Sequence, residues 1–131
     1  MIIPQRIIIG HLRYQVDVDQ AAIDKANAES KSDYAGFSQA SKQIIVLRPE
    51  NPPDFQAETL LHEVIHQCLR VAGCDPDEDA QAGLKDIEEH TIKAMSGPLL
   101  DTLRRNPDLV AYLLDTEHRE DLDNRIWRYE V

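Results

Sequence analysis

The sequence predicts one α+β domain over residues 1–131, a three- to four-stranded, mostly antiparallel sheet packed on helices. Three observations carry this expectation. Short strand-like runs recur within residues 6–48, and the apolar period turns helical from Asp54 onward. A chain of 131 residues with 42% hydrophobic composition suits a single core rather than two. No repeat, low-complexity tract or Ser/Gly linker marks a boundary within it.

In chain order, RIII (6–9) and LRYQVDV (12–18) flank Gly10 and read as a hairpin or two short strands. Asp19 to Lys31 is rich in Ala and polar residues and suits a short helix or a loop equally. YAGFSQ (34–39) and QIIVLR (43–48) read as two more strands, the second ended by Pro49, Pro52 and Pro53. Leu61, Val64, Ile65, Cys68 and Ala72 then share one stripe of a helix over about 55–72, with Asp54 as N-cap and Gly73 at its C-terminal end. A second helix follows DPDED (75–79), to be kinked or interrupted at Gly97-Pro98 before LLDTLRRN. A short third helix starts at Pro107 and carries LVAYLL; a charged tail ends in RIWRYEV.

Twenty-four acidic against fourteen basic residues give a formal charge of −10, a surface that repels phosphate backbones and anionic lipid. Neither nucleic acid nor membrane is expected as a partner. The opening MIIPQRIIIG lacks a basic segment followed by a long apolar stretch and a small-residue cleavage site, so a cytoplasmic location is expected. Cys68 and Cys74 are too few for a disulfide framework and read as one core thiol and one near a helix end.

The chemistry concentrates in TLLHEVIHQCL (59–69). His62 and His66 stand one helical turn apart on one face, so their ring nitrogens can converge on a cation at the ~2.0–2.1 Å that zinc requires. On a helical wheel the apolar stripe centres near Leu61, Val64 and Cys68, the histidines flank it, and Glu63 points further round, toward a cleft. A carboxylate beside a metal but not ligating it is placed to act as general base toward a metal-activated water. From this chain's His and Glu frequencies, HExxH arises by chance in roughly 1–2% of cases, so the match is informative and its helical context adds to it. The competing reading is an ordinary helix with two hydrogen-bonded histidines and no metal.

A catalytic zinc usually has three protein ligands, and Glu88, Glu89 and His90 stand together on the next helix as candidates for the third. Leu84, Ile92, Met95 and Leu99 centre their stripe nearer Glu88 than Glu89, whereas His90 points away from it. QIIVLRPENPP, ETLLHEVIH and EEHTIKAMSGPLLDTLRRNPDLV together resemble small zincin-type metallopeptidases of phages and bacteria, similar to the minigluzincins and, more distantly, to the ImmA/IrrE-type metallopeptidases. The likeness spans about residues 40–113. It implies a zincin-like fold, two histidine ligands on the active-site helix and a glutamate ligand on the following one. Glu89 matches that pattern, with Ile92 three on, Met95 six on, Ser96 seven on and Leu99-Leu100 beyond. Glu88 and then His90 stay as alternatives. Larger glutamate-ligand zincins place an acid or amide one turn after the third ligand to hold a histidine; this chain departs from that pattern with Lys93. Tyr34, Tyr112 and His118 are available to stabilise an oxyanion, with no spacing that selects one.

The resulting expectation is a zinc metallopeptidase. His62, His66 and Glu89 would hold Zn2+, Glu63 would act as general base, and the substrate would be a peptide or protein, pairing with an exposed edge of the QIIVLR strand. The rival is a metal-binding regulatory or interaction module of the same fold without efficient turnover. Oligomeric state has no signature in the sequence.

Overall fold

The computed structural model describes residues 2–73 and 82–114. Within these, the chain is α+β, a four-stranded mixed sheet with four helices. Strands β1 (Arg6–Ile9) and β2 (Leu12–Val18) form the expected hairpin, pairing antiparallel from Arg6 with Gln15 to Ile9 with Leu12. Gly10 takes φ +59° in the two-residue turn, a conformation in which a side chain is strained.

The ambiguous segment after β2 is helical: α1 (Gln20–Ser30) is capped by the Asp19 carboxylate, which accepts from the Ala22 N–H. Its one buried residue, Ile23, is fully covered. Strand β3 (Gly36–Gln39) is shorter than the pattern suggested, and β4 (Ile44–Leu47) returns antiparallel to it. β4 also pairs parallel with β2, giving the order β1-β2-β4-β3. The sheet is therefore mixed, because α1 and β3 provide the crossover that a parallel β2–β4 pair needs. With both flanks of β4 paired, the QIIVLR strand has no free edge, and the edge strand on that side is β3. The expectation of a substrate-binding edge on β4 is corrected accordingly.

Helix α2 (Pro53–Val71) has Pro52 at its N-cap and Pro53 in the first turn, so Asp54 sits inside the helix rather than at its cap. It packs on the sheet, where Leu60 and Val64 cover the cluster of Ile9, Tyr14, Val16, Ile45 and Leu47. At Gly36 an added Cβ would lie 2.7 Å from the Thr59 methyl and 2.8 Å from the Val46 carbonyl, so β3 approaches α2 as closely as glycine permits. Its buried residues are Thr59, Glu63 and Gln67, while Cys68 is exposed. The buried face is thus rotated from the one the apolar stripe suggested, and Cys68 is not a core thiol. The reason is chemical: Glu63 and Gln67 find polar partners inside, so they tolerate burial that a hydropathy wheel denies them.

Helix α3 (Ala82–Arg105) continues past Pro98, so of the kink or interruption expected there the interruption does not occur. Ile92 and Ser96, each 1% exposed, lie in the turns before the proline, whose ring removes one helical hydrogen bond. Met95 is 41% exposed, so the buried stripe passes through Ile92 and Ser96 instead. Helix α4 (Pro107–Leu113) begins as expected, after Asn106. The chain divides after Pro98 into two units, residues 1–98 and 99–131, and every candidate ligand and base lies in the first. DPDED, Cys74, His118 and the RIWRYEV tail lie outside the described residues. Among the described residues, no helix is long and apolar enough to cross a membrane.

Candidate metal centre

Helix α2 presents His62 and His66 on the flank of its buried face, and α3 brings Glu89 opposite them. The two Nε2 atoms lie 3.2 Å apart. Glu89 spans the pair, with Oε1 3.0 Å from His62 Nε2 and Oε2 2.6 Å from His66 Nε2. One ligand atom from each of the three lies within 4.8 Å of the others. For a tetrahedral ion with bonds near 2.05 Å, neighbouring ligand atoms stand roughly 3.3 Å apart. The histidine pair already has that spacing, whereas the Glu89 oxygens, at 3.0 and 2.6 Å, lie closer to the two nitrogens than that and would have to move outward. Two nitrogens and a carboxylate, with lone pairs converging on one point, form a donor set suited to zinc.

The other two candidates for the third position stand apart from this cluster. Glu88 Oε2 is 3.9 Å from His66 Nδ1, the ring nitrogen on the far side from the cluster, and His90 is exposed. The Glu88 side chain is only 17% exposed. Its charge therefore faces the nitrogen that must carry the proton when Nε2 is a ligand, where an outer carboxylate favours that tautomer. Lys93, which replaces the acid expected one turn after the ligand, lines the cleft instead.

Glu63 is 7% exposed, more buried than a residue simply facing a cleft, and yet its carboxylate lines one. Its two oxygens have different neighbours. Oε1 accepts a 2.7 Å hydrogen bond from the Ser38 hydroxyl on β3, while Oε2 lies 3.8 Å from His62 Nε2, on the side of the ligand cluster. Burial holds the Glu63 carboxyl above the ordinary glutamate range, opposed by the Ser38 hydrogen bond and by the two histidines and reinforced by the Glu89 charge.

Behind Ser38 runs a series of contacts that the sequence did not reveal. Gln67 Nε2 donates to Ser38 Oγ at 2.7 Å, and the Tyr14 hydroxyl donates to Gln67 Oε1 at 2.7 Å. Gln67 follows Glu63 by one helical turn, which was visible. The positions of Ser38 and Tyr14 depend on strand register, which was not.

The cluster opens into a cleft of about 750 Å³, within the size range of small-molecule and peptide sites. One wall is β3 and the segment before it, including Tyr34, Gly36, Phe37 and Ser38; the other is the flank of α2 from Phe55 to Arg70. Tyr34 thus lines the same cleft as the candidate centre, 39% exposed. Tyr112, on α4, is 72% exposed and belongs to the second unit.

Comparison with known proteins finds no family model, no curated protein and no solved structure that matches this chain.

Proposed function

We propose that this chain is a zinc-dependent metallopeptidase with a minimal zincin-type scaffold. The observation that carries the reading is the convergence of His62 Nε2, His66 Nε2 and the Glu89 carboxylate, with Glu63 Oε2 turned toward the same point from outside the set. His62, His66 and Glu89 would hold the ion. When bound, zinc would supply Lewis-acid polarisation of the scissile carbonyl and a lowered pKa for the attacking water.

Glu63 then has the work of moving protons. Its Oε2 takes the proton from the attacking water and returns it to the leaving amine. In the metal-free protein, burial lifts this carboxyl above its ordinary value and so strengthens its hold on a proton. Glu88 supports the cluster by facing His66 Nδ1. The substrate, an extended peptide, would lie along the outer edge of β3. Its backbone would pair with main-chain groups of a four-residue strand while its side chains enter the cleft.

The test begins with zinc content after dialysis against a weak chelator, comparing the parent with the double variant His62→Ala, His66→Ala. About one zinc per chain in the parent and none in the variant is expected. Glu63→Gln should then keep the zinc and lose peptide hydrolysis. A parent that takes up no zinc on reloading at neutral pH, or a Glu63→Gln protein that still cleaves, refutes the proposal.

A further inference from the structure

We propose that Ser38 is a positioning residue for the Glu63 carboxylate, and that Gln67 and Tyr14 set the direction in which its hydroxyl points. This rests on the metallopeptidase reading. It adds to it a device in the sheet that no part of the HExxH sequence contains.

The argument is one of hydrogen-bond capacity. A serine hydroxyl has one hydrogen to give and lone pairs to receive. Gln67 Nε2 occupies the receiving side of Ser38 at 2.7 Å, so the single hydrogen is left for Glu63 Oε1, also at 2.7 Å. The Gln67 amide cannot turn over freely, because its oxygen is held at 2.7 Å by the Tyr14 hydroxyl. Every donor in the series therefore points the same way, from β2 through α2 to β3 and back to the carboxylate on α2. Tyr14 is 1% and Gln67 6% exposed, so water has little access to substitute for a lost member. The outcome is a carboxylate with one oxygen tied to the sheet and the other turned to the ligand cluster, 3.8 Å from His62 Nε2. A free carboxylate would rotate about its last bond and share both oxygens between the two directions. Gly36 matters here as well, since its close approach to Thr59 brings β3 near enough for the hydroxyl to reach.

The alternative is that the series only satisfies buried polar atoms. That role would affect stability alone, without a selective effect on the chemical step.

The experiment uses the full chain, loaded with zinc, and the variants S38A, S38T, S38V and Y14F. Threonine keeps the hydroxyl in a strand that accepts β-branching, and valine has nearly the same shape without it. S38A and S38V should lower kcat by about 10- to 100-fold with KM and zinc content unchanged, the range expected when a proton-transferring group is displaced rather than removed. S38T should restore most of the loss, and Y14F should show a smaller loss of the same kind. If S38A fails to fold, the S38T and S38V pair decides. In the zinc-free proteins, urea denaturation of S38A, E63A and the double variant should give destabilisations that do not add, showing that the two side chains are coupled without reference to turnover. Additive effects, equal kcat in S38T and S38V, or a loss confined to KM or to zinc content would overturn the proposal. A parent that binds zinc but cleaves no peptide in a library brings down the metallopeptidase reading and this inference together. An active parent with an indifferent Ser38 sinks this inference alone.

Discussion

Glu88 and Glu89 are adjacent in sequence and differ sharply in what they face, so truncating each in turn measures which one serves the cluster. Glu89 places its two oxygens 3.0 and 2.6 Å from the two Nε2 atoms, while Glu88 comes no nearer His66 than 3.9 Å and then to Nδ1. Zinc sites with four protein ligands bind with about 10–16 kcal/mol, so one ligand is worth about 3 kcal/mol, or roughly two decades of affinity. An outer carboxylate that orients a ligand histidine is worth roughly 10- to 100-fold. Glu89→Ala should therefore weaken zinc binding by two decades or more, Glu88→Ala by a decade or so, and His90→Ala, an exposed position, by nothing measurable. The Glu89 side chain is 54% exposed, so its loss should leave the zinc-free protein nearly as stable as the parent, and the effect can be read as affinity rather than unfolding. The assay is competition with a chromogenic chelator at neutral pH, with circular dichroism on the same samples. A Glu88→Ala defect larger than that of Glu89→Ala would refute the assignment, and equal affinity in all three variants would refute the site.

Tyr14→Phe removes a buried donor and leaves Gln67 Oε1 without a partner, which should cost about 1–3 kcal/mol in urea denaturation; an unchanged midpoint would show that the Tyr14–Gln67 contact is not held in solution. Gly10→Ala should destabilise the hairpin by at least about 1–2 kcal/mol, because φ +59° strains any residue with a Cβ and the new methyl would lie 2.5 Å from Val71 Cγ1. In zinc-free protein, the raised Glu63 carboxyl binds more protons folded than unfolded between the ordinary glutamate pKa and its own. Stability should therefore be greatest and independent of Glu63 titration below that window and fall as pH rises through it. Glu63→Gln should flatten the slope; an equal slope in parent and variant, read from urea midpoints against pH in the presence of chelator, would contradict the burial argument.

Much of the architecture was legible because it rests on short-range patterns. β-Branched and aromatic residues marked the four strands as short extended runs, and prolines at 49, 52 and 53 marked where β4 had to stop. The spacing of His62, Glu63 and His66 was legible for the same reason, since a helix fixes which residues share a face. What failed was anything that depends on a partner distant in sequence. The apolar wheel placed Cys68 inside and turned Glu63 to a cleft and away from the core; the cleft is there, but hydropathy cannot anticipate that Ser38, 25 residues earlier, would satisfy a carboxylate that is also buried. Strand order was equally out of reach: QIIVLR reads the same whether it lies at an edge or between β2 and β3, and only the crossover through α1 settles it. The interruption considered at Gly97-Pro98 does not occur, since the helix continues from Ala82 to Arg105 with Pro98 inside it.

His66 and Glu89 are separated by 23 residues and meet only once two helices have come together. Under the proposed metal reading, the histidine pair emerges first during synthesis and would offer an ion two weak, exchangeable bonds; the third donor would arrive later, on a segment that must find its place before it can contribute. Tight capture would then be a late event in the life of the chain. A cation taken up here would certify that the first unit is finished, and an unfinished chain would surrender its metal to any competitor in the cell.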